Sequence, residues 1–155
     1  MGSIYQINSS RGGVPKLPIA EASINTLGIE SDYQRDRRHH GGPERALCLY
    51  SLEEIARLQA EGHPIYPGAA GENVTLEGIN LAALTPGARL RLGDEVEIEM
   101  TGYAAPCKNI TECFADGDFT RISEKLHPGK SRVYARILRT GVIRTDDPVV
   151  LMEDD

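Results

Sequence analysis

Gly93-Asp-Glu-Val-Glu-Ile-Glu-Met-Thr101 is the stretch whose reading decides the fold. Val96, Ile98 and Met100 alternate with Glu95, Glu97 and Glu99, the period of two by which a strand shows one apolar face and one acidic, solvated face. Gly93-Asp94 ahead of it is a turn signal, and Ala88 to Leu92 before that turn is strand-like again. Working outward, similar short runs recur at Gly2 to Asn8, Leu17 to Asn25, Arg45 to Tyr50 and Asn73 to Leu76. They return at Arg132 to Thr140, Val142 to Thr145 and Val149 to Met152. Helical signals are few. Ser51 and Glu54 have capping-box spacing ahead of Leu52, Ile55, Ala56 and Leu58, with Gly62 and Pro64 as the stop. Phe119, Ile122 and Leu126 predict a second short helix, capped by Asp118 and ended by His127-Pro128-Gly129. Many short strands with two short helices predict a mainly β fold, a closed or strongly twisted antiparallel β-barrel-like domain. No repeat or low-complexity linker divides the 155 residues, so residues 1–155 read as one domain with 153–155 as a frayed tail.

Composition narrows the function classes. Seventeen basic against 23 acidic residues give a net charge of -6, which disfavours nucleic acid and anionic membranes as partners, so any anion site must be local. No apolar run is long enough for a transmembrane helix and Met1 to Ser10 lacks a secretion-signal pattern, which predicts a cytoplasmic protein. Cys48, Cys107 and Cys113 are an odd number without CxxC spacing, so a cysteine function would be that of a reduced thiol.

Three constellations could carry chemistry. Arg35-Asp-Arg-Arg-His-His-Gly-Gly42 joins planar guanidinium forks to a glycine turn whose amides can face a phosphate. The alternative is a solvated charged loop. Gly68-Ala-Ala-Gly-Glu-Asn73 sets a carboxyl beside an amide, a pair able to accept and donate along an aminopyrimidinone edge or to tie down its own turn. In Thr101-Gly-Tyr-Ala-Ala-Pro-Cys-Lys-Asn109, Pro106 stiffens the stem that offers Cys107, and Lys108 favours its thiolate. Cys48 inside an apolar strand reads as an inert packing residue and Cys113 as packing or a resolving thiol, while His63 and His127 in proline turns read as solvent-facing.

The order of these pieces resembles the MOSC domain family, named for the C-terminal domain of molybdenum-cofactor sulfurases. The resemblance is carried by Gly12-Gly-Val-Pro-Lys16, Gly28-Ile-Glu-Ser-Asp32, His40-Gly-Gly-Pro43 with Arg45-Ala46, Gly71-Glu-Asn73, Leu92-Gly-Asp94, Pro106-Cys107 and Tyr134-Ala-Arg-Ile-Leu138, and it runs from about Gly12 to Val150. It implies a barrel-like fold and a cysteine, here Cys107, that binds molybdenum or carries sulfur as a persulfide. It also implies a pocket for the phosphorylated pterin of the molybdenum cofactor to which His40, Gly41, Gly42, Glu72 and Asn73 contribute, with Arg37 and Arg38 suited to the phosphate. Related members include molybdenum-dependent reductases of N-hydroxylated compounds, a second reading beside sulfur transfer. A third is a non-catalytic module for a phosphorylated ligand or a partner. With no pyridoxal phosphate lysine motif in the chain, sulfur or electrons would come from a separate cysteine desulfurase or electron-donor protein. Ser31 and Asp146 stand where family members often have glycine, and if those turns need positive φ, Asp146 is the more tolerant of the two.

Overall fold

The computed structural model describes residues 1–10, 14–32 and 42–152. Eleven strands are present among them: β1 (Gly2–Ser9), β2 (Leu17–Ile19), β3 (Glu21–Asn25), β4 (Gly28–Ile29), β5 (Leu47–Ser51), β6 (Val74–Glu77), β7 (Arg89–Leu92), β8 (Val96–Tyr103), β9 (Val133–Arg139), β10 (Gly141–Arg144) and β11 (Pro148–Met152). The main sheet runs β11-β7-β8-β9-β5-β6-β1-β2, and a further pairing of β11 with β1 closes seven of its strands into a barrel. Closure removes the exposed edges an open sheet would leave. The seam is short, with Gly2 opposite Val149 and Ser3 opposite Pro148. β10, β3 and β4 form a small second sheet.

The alternation in β8 does what the sequence predicts on its apolar side. Val96, Ile98 and Met100 are at most 2% exposed, in a core shared with Leu90 and Leu92 of β7 and Val133 and Ala135 of β9. Burial of an aliphatic side chain of this size contributes about 1.5–3 kcal/mol. The other face departs from the expectation of a purely acidic surface. Register sets Arg89 and Arg91 of β7 opposite Glu99 and Glu97, and Arg136 and Arg139 of β9 opposite the same two glutamates. Glu99 pairs with both Arg89 and Arg136, whose guanidinium groups hold its carboxyl below the usual range.

All pairings are antiparallel except β5 with β6, and that crossover contains the one α-helix among the described residues, α1 (Leu52–Ala60). Ser51 caps it as predicted, its hydroxyl accepting the Glu54 amide at 3.2 Å, while Ile55 and Leu58 face the core. The second predicted helix is only a 3₁₀ turn, Phe119–Ile122, with the Asp118 carboxylate capping the Thr120 amide. Leu126, expected on its apolar face, is 58% exposed, so the run lacks the burial that would extend it. Asp146 has φ 74° and is the single non-glycine residue with positive φ among the described residues; Ser31 needs no such conformation.

Candidate functional site

A strand in the barrel wall also has an outer face, and on β5 and β9 that face carries the site. Leu47 and Leu49 enter the core, so Cys48 between them points outward, directly opposite Tyr134, the outward residue between Val133 and Ala135. Cys48, Tyr134 and Ala104 pack together as a small cluster apart from the main core. The Arg45 guanidinium lies over the Tyr134 ring, 5.5 Å from its centroid. Burial pushes the Tyr134 phenol well up, and nearby Cys48 and Cys107 add to this, so its hydroxyl stays protonated.

Cys107 reaches this wall on the arm that follows β8. The Ala104 amide donates to the Arg132 carbonyl at 3.0 Å, pinning the start of the arm to the residue before β9. Beyond it Cys107 is extended (φ -143°, ψ 177°), and its carbonyl accepts the Ile110 amide to open the 3₁₀ turn Lys108–Cys113. Cys107 is half-buried, whereas Cys48 and Cys113 are buried, and desolvation pushes both of those thiols up to about 11. The two readings of packing cysteines thus agree with their placement. His63 is less open than expected, stacking edge-on against Phe114 and accepting the Ala115 amide at Nδ1.

The ends of three quoted segments, Lys16, Asp32 and Asn73, meet in one buried network. Lys16 Nζ donates to both Asp32 oxygens at 2.7 and 2.8 Å, and Asn73 Nδ2 donates to Asp32 Oδ2 at 2.9 Å. Asn73 also clamps β5: its Oδ1 accepts the Cys48 amide, and its own amide donates to the Cys48 carbonyl. Glu72 is 0% exposed and Asn73 1%, so both stand inside the wall, and the Asn73 amide group is used within the chain instead of forming an open edge. The Glu72 Oε2 accepts the Thr75 hydroxyl at 3.0 Å, while Oε1 is buried without a partner. Burial raises the Glu72 carboxyl; hydrogen bonding from the Gly68 and Glu72 amides and from Thr75, and the charge of Arg132, only partly oppose this.

Such a carboxyl has a defined signature. A folded-state pKa above the ordinary 4.5 means that stability is fully present below 4.5 and is lost as pH rises through the folded value. Glu72→Gln is therefore expected to melt above wild type at pH 7.5, with the difference shrinking as pH falls toward 4.5. Thermal melts at a series of pH values measure it, and a constant difference would contradict a neutral buried carboxyl.

Arg132 is the residue that sequence reasoning missed. It is 6% exposed, donates to the Ala70 carbonyl at 2.7 Å and to the Ala105 carbonyl at 3.5 Å, and so spans from the Gly68–Gly71 turn to the Cys107 arm. Its signal was faint: one basic residue two positions before Tyr134, on the same outward side of an otherwise apolar run. Of the other expected residues, Gly42 has φ 90° with open space around it, whereas Arg37, Arg38, His40 and Gly41 lie outside the described residues. Among the described residues no group of three or more His, Cys, Asp or Glu side chains could hold a metal ion, and no helix is long and apolar enough to cross a membrane.

A seven-stranded barrel with a cysteine arm over its outer wall is the class of protein in view, and the model of the MOSC domain matches residues 36–150. The chain belongs to the MOSC domain family. It is 28% identical over 136 residues to Protein YiiM of Escherichia coli, covering 85% of this chain and 59% of that protein. It is also 28% identical over 131 residues to the uncharacterized protein YflK of Bacillus subtilis, covering 83% and 58%. The chain thus spans about three fifths of the length of these curated relatives. The crystal structure of YiiM from Geobacillus stearothermophilus superposes with a TM-score of 0.78 at 25% identity, covering 99% of this chain and 76% of that one. The MOSC domain is associated with the molybdenum cofactor. The residues present suit such a group: Cys107 is a half-exposed soft donor, and Glu72 Oε1 is a buried acceptor with no partner among the described residues.

Proposed function

We propose that this protein binds the molybdenum cofactor and engages it through Cys107, either as the protein ligand to molybdenum or as a persulfide carrier toward it. The observation that carries this reading is selective exposure: of three free cysteines, Cys107 alone is half-exposed, on a stiff arm beside a protonated tyrosine, while the other two are buried and held as thiols. Molybdenum, when bound, supplies the oxygen- or sulfur-transfer chemistry. The chain's own groups hold and orient. Arg37, Arg38, His40, Gly41 and Gly42 receive the phosphorylated pterin, and Glu72 and Asn73 shape the wall behind it. The Tyr134 hydroxyl, kept protonated by burial, is a hydrogen-bond donor at the site. As a carrier, the Cys107 thiolate attacks the outer sulfur of a persulfide on a separate desulfurase; the donor's S–S bond breaks and its thiolate leaves with the electron pair.

A reductase of N-hydroxylated compounds, drawing on a separate electron donor, is the second reading. It is favoured by a protein of Gibberella moniliformis named "Reductase", 29% identical over 119 residues, of which this chain covers 21%.

Metal and pterin analysis of protein purified from a cofactor-making host tests the proposal, with Cys107→Ser and Cys48→Ser in parallel. Wild type and Cys48→Ser are expected to retain molybdenum or, after exposure to a desulfurase, sulfane sulfur. Cys107→Ser is expected to lose it at least tenfold, the scale of one lost ligand bond of about 1.4 kcal/mol or more. Equal retention in Cys107→Ser would remove the cysteine from the mechanism. Stoichiometric pterin on purification favours the reductase, and an empty chain with a Cys107 persulfide favours the carrier.

A further inference from the structure

We propose that Arg132 is a direct contact for an anionic group of the ligand that Cys107 engages, a binding residue rather than only a strut of the barrel. The inference rests on the molybdenum-cofactor reading above. A guanidinium removed from water normally has a carboxylate beside it, because a buried charge without a counter-charge is strongly disfavoured. Arg132 is 6% exposed, yet among the described residues its polar contacts are two neutral backbone carbonyls, of Ala70 and Ala105. Its Nε is buried with no acceptor among the described residues.

Its surroundings give the missing partner a location. The Ala70 carbonyl belongs to the turn that leads into Glu72, and the Ala105 carbonyl lies two residues before Cys107. The Arg132 charge acts on Glu72, two residues beyond the Ala70 carbonyl, but no hydrogen bond joins the two side chains, and Glu72 Oε1 has no donor among the described residues. Arg132 Nε and Glu72 Oε1 thus both lack a hydrogen-bond partner among the described residues, and the arginine charge acts on that carboxyl. A ligand that presents an anionic acceptor with a neighbouring N–H or O–H donor answers both groups. A simple inorganic anion would answer only the arginine. The two carbonyl bonds orient the guanidinium plane before any ligand arrives, so little side-chain entropy remains to be lost on binding.

The test is pterin content per folded protein, read by fluorescence after oxidation, for wild type, Arg132→Met and Arg132→Lys purified from a cofactor-making host, with folding checked by thermal melts. A charged hydrogen bond lost from a buried site predicts a loss of more than tenfold in Arg132→Met. Arg132→Lys, which keeps the charge without the planar fork, is expected to fall about threefold. A strut alone would lower the melting temperature of both variants and leave the content of the folded fraction unchanged, which would overturn the proposal. Should Arg132→Met not fold, wild-type content in Arg132→Lys overturns it equally. Pterin in wild type and in folded Arg132→Met alike sinks this inference while the cofactor reading stands. Wild type purified without pterin overturns this inference, and it takes the cofactor reading with it when Cys107 also carries no sulfane sulfur.

Discussion

Lys16→Met is expected to lose about 3–5 kcal/mol of stability, enough to unfold a large share of an ordinary domain at 37 °C. Lys16 and Asp32 have side-chain exposures of 3% and 5%, so the Asp32 charge sits in a nearly dry place. Lys16 supplies two of the short contacts to that carboxylate; the Ser10 amide and the Asn73 side chain supply others. Removing the cation leaves the anion buried and less compensated, a larger penalty than the pair's own net worth. The loss should also pass beyond the pair, since Asn73 links Asp32 to β5 at Cys48. Urea denaturation measures it, and a midpoint within experimental error of wild type would show the network to be dispensable. Lys16→Met with Asp32→Leu should recover part of the loss, because the stranded charge is gone, but not all, because two donors then lack their acceptor.

Gly68→Ala is expected to destabilise by about 3 kcal/mol and to reduce pterin retention with it. Gly68 has φ 90°, a conformation an alanine adopts only under strain. Space forbids it as well: an added Cβ would stand 2.5 Å from the Lys16 carbonyl oxygen and 3.2 Å from the Asn8 side chain. The first neighbour is backbone and held, since the Lys16 amide donates to the Gly68 carbonyl at 2.9 Å. The turn must therefore move, carrying the Ala70 carbonyl away from Arg132 and shifting Glu72. Gly62→Ala is a control with positive φ but open space around it, and separates dihedral strain from the clash. Thermal melts that rank the two variants equally would contradict the steric argument.

The strands were legible because their information is local. In β8 a run of seven residues contains the whole alternation, and one neighbour in space cannot change which side is apolar. What lies opposite a strand is not local. Arg89 and Arg136 neutralise Glu99 from strands whose register depends on the closed barrel, so an acidic face was read where a cross-strand ladder stands. The helix at Ser51 was legible through its cap and its buried Ile55 and Leu58. The stretch at Phe119 had the cap but not the burial, and stops after one turn. At the site, Cys107 could be singled out by its proline stem, and Lys16, Asp32 and Asn73 each end a recognisable segment. Their meeting is a property of the fold alone. Arg132 was hidden because its burial against the Ala70 and Ala105 carbonyls comes from segments far apart in the chain, and a sequence does not display such neighbours.

Barrel closure bears on the order of events during synthesis. Residues 2 and 3 find partners at 148 and 149, so β1, which also pairs with β2 and β6, completes the barrel only when β11 arrives. Lys16, Asp32, Asn73, Cys107 and Arg132 are spread along the same interval, and non-local contacts of this kind form slowly and together. Until β9 has joined the sheet, Arg132 and the Cys107 arm have no fixed place. Loading of the ligand is then a step taken by the closed barrel, and a ligand bound only to that state draws the folding equilibrium after it.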